Sequence, residues 1–472
     1  MTTTKALAAL AAGLILTGCA SIEPKPGFDR VSGMVEERSG NQIHWRQGGV
    51  EDERVRERIQ AMIADGLDAD EAVQVALLAN PQLQATYEEL GIAQADLVQA
   101  GLLSNPVFGA VVLRPRDEDH TNLDLDIAWN FLSVFTMPLR KRAAEENFEA
   151  AQLRVTSEVL SLAGEVRRAF YGAQANAQIA EMLAQVSTAT AAQLDAAQRL
   201  RDAGNITALA LDQRRAQHEE ALMLLAEAQA AVYRNREQLN ALMGLWATAT
   251  QWEMQPRLPT IPGDPYDIAA IERQAVERSL DLASLRHQLE SAARRLGVTN
   301  ITSVIPDLEI GYAWERDDGD WEDGPLLEVP LPIFDWGQAK RARARAELEQ
   351  LRARYVHRAI GLRAAARGTA RELEAARARV RHLGDVLLPL RERIVQGMQL
   401  EYNAMQVGVF QLLDVQQQQV RTGQRYVQAL RDYWVARARV EQLFNGAPVR
   451  SEGVRAEAPL GAGAALDSDG GH

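Results

Sequence analysis

Two stretches of this chain alternate apolar and polar residues, while most of the remainder keeps its apolar residues three and four apart. In Asn122 to Phe131 the residues Leu123, Leu125, Ile127, Trp129 and Phe131 alternate with Asn122, Asp124, Asp126, Ala128 and Asn130. Period two over about ten residues predicts a strand over 122–131 with one apolar and one wet face, long enough to span a membrane. Residues 107–114 are its expected hairpin partner, across the charged loop Arg114 to Thr121. A second pair is expected at 307–316 and 326–333. In the first of these, Leu308, Ile310, Tyr312 and Trp314 alternate with Asp307, Glu309, Gly311, Ala313 and Glu315. Arg316 to Pro325 is an acidic loop, and the last strand carries Leu327, Val329, Leu331 and Ile333 on one face. Pro330 and Pro332 weaken that last strand, because each removes a ladder donor.

The helical tracts are long. Asn80-Pro81 opens a helix that runs to about Leu103, with proline at a permitted first position. From Pro138 to Ala203 the chain holds almost no breakers, which gives roughly 100 Å of helix at about 1.5 Å per residue. A glycine turn at Gly204 reverses it, and a return helix runs from about Ala208 to Met243. The second tract runs from Trp336 to about Val407 with a kink expected at Pro389, and its return helix runs from about Val409 to Phe444 after a turn at Gly408. Helix, two strands, long helix, glycine turn and return helix thus occur twice in the same order, so the chain is a duplication. The expected bounds are 80–247 and 268–446, with a proline-rich linker over 248–267. Residues 19–79 are expected to form a tether with short helices after about Glu51, and 447–472 a disordered tail.

Composition narrows the chemistry. With 472 residues and a formal net charge of −13, nucleic acid is not an expected partner. Cys19 is the single cysteine, and the histidines are scattered without ligand spacing, so no metal site and no cofactor are expected. No phosphate-binding glycine loop and no catalytic constellation is visible, so the chain is not expected to be an enzyme. Lys5, the apolar run Ala6 to Leu16 and then Leu16-Thr17-Gly18-Cys19 form an export signal over 1–18, too short to span a membrane as a helix. Its ending resembles the lipobox of bacterial lipoproteins, which implies lipidation at Cys19 and, with Ala20 next, outer-membrane sorting.

Four membrane strands cannot close a barrel alone, since open edges are not tolerated in lipid. Other copies must complete it, around a lumen lined by Asp124, Asp126, Asp307, Glu309 and Glu315. Asn80-Pro81, Asn105-Pro106, Pro332-Ile-Phe-Asp335-Trp-Gly337 and the glycine turns with Leu-Leu-Asp make the chain similar to the outer-membrane efflux factor family, the TolC-like exit ducts of bacterial pumps. The resemblance implies a mixed α/β membrane protein. It would be a homotrimer with a twelve-stranded barrel, four strands per chain, continued by a long α-helical periplasmic barrel. It further implies a periplasmic adaptor, an inner-membrane pump and outer-membrane lipid as partners.

In that family the glycine turns form the periplasmic tip and gate. Gly408 matches the turn glycine and Asp414 the first tip aspartate. Gln417 stands where a second aspartate is usual, and Phe410 where an arginine helps hold the tip closed. In the first copy Gly204 is the turn glycine, Ala210 falls at the position of the tip aspartate, and Asp212 lies two residues beyond. The implied function is passive exit of metal cations or small toxic compounds. A type I protein-secretion duct and a non-pore structural lipoprotein are the alternatives.

Overall fold

The computed structural model describes residues 25–114, 121–263, 267–303, 308–317, 320–331 and 333–449. The export signal, Cys19, Asp307 and all of the tail beyond 449 therefore lie outside the described residues. The chain is mostly α-helical with one small antiparallel sheet. In order it runs α1 Phe28–Ser39, α2 Val50–Ala64, α3 Ala69–Ala79, α4 Pro81–Ala100, β1 Val107–Leu113, β2 Asn122–Asn130, α5 Leu132–Asp202 and α6 Ala208–Met243. There follow α7 Ile268–Glu277, α8 Leu280–Thr302, β3 Glu309–Asp317, β4 Asp320–Glu328, α9 Gln338–Arg381, a π-helical segment His382–Leu387, α10 Leu388–Asn403 and α11 Val409–Phe444.

Local chemistry explains most boundaries. Asn80 caps α4 by accepting from the Gln82 and Leu83 amides, and its own amide donates to Leu242 O at the end of α6. Asp68 and Glu71 form a capping box at the start of α3. Gly244 ends α6 in the left-handed region, at φ 69°. Pro389 is the second residue of α10, and the π-helical segment sits immediately before it, which accommodates the missing donor.

Three expectations are corrected. The tether before Glu51 contains a helix: Phe28, Val31 and Val35 of α1 are buried, and Gly27 and Gly40 bound it in left-handed conformation. Phe28 packs edge-on against Tyr87, with ring centroids 5.2 Å apart, and at a tilt against Trp45. The strand expected at 326–333 is instead β4 at 320–328, which ends before Pro330 because the two prolines cannot donate to a ladder. Its own proline, Pro325, is tolerated because β4 lies at the edge of the sheet. The run from Asp267 to Gly297 reads from its sequence as one helix, but it is broken at Ser279, whose side chain accepts from the Leu282 amide and starts α8 afresh.

The core lies midway along the long helices. Val155 to Ala175 of α5, Leu239 and Met243 of α6, Ala366 to Val380 of α9 and Val427 to Leu443 of α11 pack there with α1, α3 and α7. The proline-rich linker is strapped across this waist. Leu67 bridges to Met254, Gln174 Nε2 donates to the carbonyls of Gln255 and Arg257, and the Trp434 indole donates to Pro259 O. Arg167 crosses the same level, pairing with Glu441 at 2.9 Å and with Asp70.

Nearer the sheet, Glu146 takes a hydrogen bond from His287 at 2.7 Å and one from Arg294 at 2.8 Å. Burial pushes the Glu146 carboxyl up, but the His287 hydrogen bond and the Arg294 charge outweigh it and leave the pKa below the usual glutamate value. That stabilisation is present above the unfolded-state pKa and fades as pH falls through the lowered one.

Candidate functional site

Register places the sheet residues without ambiguity. The order is β1-β2-β3-β4, antiparallel throughout, with the outer edges of β1 and β4 carrying no strand partner among the described residues. Asp124 stands opposite Val111 and Glu315, and Glu315 stands opposite Glu322. One row across β2, β3 and β4 is therefore three carboxylates wide. Two residues along, Asp126 lies beside Gly109, Ala313 and Gly324. A Cβ at Gly109 would fall 2.1 Å from Asp126 Oδ1, so glycine is what lets this carboxylate lie across β1. Glu309 pairs with Asn130 and Glu328 at the helical end of the face.

Four of the five expected lumen residues, Asp124, Asp126, Glu309 and Glu315, thus share one face, and Asp307 is outside the described residues. Asp317, Asp320, Glu322 and Glu328 join them, and no cationic side chain lies on that face among the described residues. Like charges directly opposite each other destabilise a sheet, so the face requires water and counterions rather than a packed neighbour. The opposite face carries Phe108, Val112, Leu125, Ile127, Trp129, Ile310, Tyr312, Trp314, Trp321 and Leu327. Most of these are exposed, with Phe108 at 65% and Leu327 at 65%. The acidic run Arg316 to Pro325, expected as a loop, instead supplies Asp320 to Pro325 to β4, which brings Glu322 onto this face. β3 and β4 form a hairpin in which Asp317 pairs directly with Asp320.

The two helix turns lie at the other end of α5, about 100 Å from the sheet at ~1.5 Å per residue. In the first, Gly204 adopts φ 77°, with Gly204 N bonded to Arg201 O and Asn205 N to Leu200 O. In the second, Met405 adopts φ 60°, with Met405 N bonded to Tyr402 O and Gln406 N to Glu401 O. Gly408 itself has φ −82° and caps α11, as Thr207 caps α6. The structural offset between copies is therefore 201, from Met405 against Gly204 and Gly408 against Thr207, and not the 204 suggested by aligning glycines. Gly204 and Gly408 are not equivalent positions, because Met405, 94% exposed, performs a backbone task usually left to glycine.

The tip residues are joined by a side chain that the sequence did not single out. Arg214 of α6 lies over the Phe410 ring, 4.5 Å from its centroid, and its Nη1 is 3.4 Å from Asp414 Oδ1. Phe410 and Asp414 are one helical turn apart on α11 and so present one face to it. The Arg214 side chain is 16% exposed, against 47% for Asp414. This contact spans 200 positions and brings the two turns to one end of the molecule. Gln417 is half-buried, and Asp212 is exposed and is not drawn into the contact. No group of three or more His, Cys, Asp or Glu residues able to hold a metal is present among the described residues.

Residues 72–245 match the family model described as Outer membrane efflux protein. The chain is 25% identical over 393 residues to the cobalt-zinc-cadmium resistance protein CzcC of Cupriavidus metallidurans, covering 81% of this chain and 90% of that one. Among solved structures it resembles the CmeC outer membrane channel of Campylobacter jejuni, with TM-score 0.66, 15% identity and coverage of 81% and 86% of the two chains. It also resembles the outer membrane protein VceC of Vibrio cholerae, with TM-score 0.66, 15% identity and coverage of 80% and 96%.

Proposed function

We propose that the chain, matched by the outer membrane efflux protein family model over residues 72–245, is a passive channel of that superfamily and the exit duct of a tripartite metal-efflux system. The observation that carries the reading is the sheet: one acidic face, one apolar face and two open edges on top of helices about 100 Å long. An apolar face that is exposed suits lipid, and an acidic face without cations suits a water-filled passage. Edges cannot stay open in a bilayer, so β1 and β4 pair with neighbouring copies. Three copies would give twelve strands, with the helical part extending into the periplasm toward an adaptor and an inner-membrane pump. A lipid on Cys19 would add an anchor to the membrane-spanning sheet.

Transport here needs conformational change and no bond chemistry. Opening would separate the turns at Gly204 and Gly408, and the Arg214 contact to Phe410 and Asp414 is what must yield. Three Asp414 side chains about one axis would attract cations, although Arg214 offsets part of that charge within each chain. Divalent metal is preferred over organic cargo because the CzcC relative is matched over most of its length.

The test is a clean deletion scored for growth on cobalt, zinc, cadmium, copper, silver and nickel beside dyes, detergents and several antibiotic classes. Selective sensitivity to divalent metals, restored by the intact gene, is the expected result; sensitivity confined to organic compounds would overturn the metal reading in favour of a multidrug duct.

The acidic face yields a second expectation. Replacing Asp124 by Asn together with Glu315 and Glu322 by Gln should lower the cation-over-anion permeability ratio about twofold in planar bilayers at low salt. The effect should shrink towards 1 M salt, where the Debye length falls to about 3 Å. An unchanged reversal potential at low salt would remove these residues from the lumen.

A further inference from the structure

The two passages from strand to helix carry exposed aromatic residues, and basic residues follow within two turns. At the first passage Phe131 and Phe135 meet edge to face, 5.3 Å between centroids, with Phe135 64% exposed. At the second, Leu331, Ile333, Phe334 and Trp336 are all exposed, Phe334 at 92%. α5 then presents Arg140, Lys141 and Arg142, and α9 presents Lys340, Arg341, Arg343 and Arg345. At ~1.5 Å per residue, Lys141 lies about 9 Å beyond Phe135, and Lys340 lies in the first turn of α9, just after Trp336. These charges occupy one level of the molecule, directly beneath the apolar sheet.

The acidic residues at that level are mostly engaged. Asp335 accepts from the Gly337 amide at 2.8 Å, and Glu146 is held by His287 and Arg294. Arg343 pairs with Glu347 at 2.8 Å, and Arg341 donates to Trp336 O. Lys141, Arg142, Lys340 and Arg345 form no ion pair among the described residues. Successive helix positions turn by about 100°, so the four cations of α9 are spread around its circumference and at least one points away from the bundle. In a chain with formal net charge −13 this is a local reversal of sign.

We propose that this level is a collar for anionic phospholipid headgroups of the leaflet facing the helical body. The proposal rests on the membrane-spanning reading of the sheet. Aromatic side chains at a bilayer boundary fix depth, and basic side chains just outside it each add attraction to an anionic surface. Long Lys and Arg stems reach back toward the headgroups while their charged ends stay in water. The neighbour that fits is therefore phosphate at the end of an acyl environment, seated where aromatic belt and cationic collar meet.

The test uses the full-length protein, purified in neutral detergent and offered equimolar phosphatidylglycerol and phosphatidylcholine, with bound lipid counted by native mass spectrometry. Wild type is expected to retain phosphatidylglycerol about tenfold over phosphatidylcholine, a preference that collapses on raising the salt. The variant Lys141→Gln, Arg142→Gln, Lys340→Gln, Arg345→Gln should bind the two lipids within about twofold of each other, with single-channel conductance unchanged. Equal retention of the two lipids by wild type overturns the collar without recourse to any variant. If wild type shows no preference and the variant falls apart into single chains, the cations pair between copies, and the proposal fails. Conductance recorded on the same preparation keeps the readings apart, since a non-conducting trimer counts against the duct and equal lipid binding counts against the collar.

Discussion

Arg214→Ala is expected to raise the conductance of the reconstituted channel at least tenfold. Arg214 makes a cation–π contact to Phe410 and an ion pair to Asp414, joining α6 to α11 near both helix turns. The ring contact is worth about 0.5–1 kcal/mol, and the half-exposed pair with Asp414 adds at most about 1 kcal/mol. In the proposed trimer, a loss of roughly 1 kcal/mol per chain would become about 3 kcal/mol in the balance of closed and open tips. That is on the order of a hundredfold in population. Phe410→Leu should give a smaller increase, and Asp414→Asn smaller still, because the solvated ion pair is the weaker half of the contact. Planar-bilayer recordings of the three variants check the ranking. Wild-type conductance in Arg214→Ala would show that the closed tip is held elsewhere.

Gly446→Ala is expected to destabilise the waist by about 3 kcal/mol. The residue has φ 85°, and a Cβ there would sit 2.1 Å from Arg278 O and 2.3 Å from Arg38 Nη1. Neither neighbour can move freely. Arg38 Nη1 donates to Arg278 O at 2.9 Å and to Asn445 O at 2.8 Å, and Leu280 N donates to Gly446 O at 2.9 Å. The joint fastens α1, the break between α7 and α8, and the end of α11 to one another. At ~2.1 cal/mol/K per residue over roughly 400 residues, 3 kcal/mol corresponds to a thermal midpoint lower by about 4 °C. Gly33→Ala is the matched control. It lies inside α1 with nothing within 4 Å of its would-be Cβ, so alanine should be neutral or stabilising by up to about 1 kcal/mol. Equal melting of both variants would contradict the packing around Gly446.

The long helices and the first hairpin were legible because their signals are local. Asn80 with Pro81 marks a helix start, and the strict alternation of Asp124 and Asp126 with Leu123, Leu125 and Ile127 marks a strand with two unlike faces. What escaped was set by partners distant in sequence. α1 looks like tether from its Pro-Gly entry, and its burial depends on Tyr87 and on Phe148 and Gln152, which crowd Gly27. The β3–β4 hairpin was misjudged because the charge of Glu322 and Asp323 outweighed the alternation they share with Trp321. Asp414 was visible as a charge near a turn, but its partner Arg214 comes from the other copy, and no periodicity in either segment announces the contact. Met405 in a left-handed conformation is the clearest case of backbone geometry overriding residue preference.

The strap of linker across the waist has a mechanical meaning. It clamps the long helices about midway, and its last contact on α5 is the Arg257–Glu181 ion pair at 2.9 Å, beyond which roughly 21 residues to Asp202 form an arm of about 30 Å. A body held at such a fulcrum converts small rotations into useful travel: about 5° of tilt at the waist displaces the far end by about 3 Å per chain. In the proposed trimer, three such arms swinging together would widen an aperture by about the diameter of a hydrated ion's inner shell while the sheet end stays still. The duct would then work as a set of levers, geared at the strap.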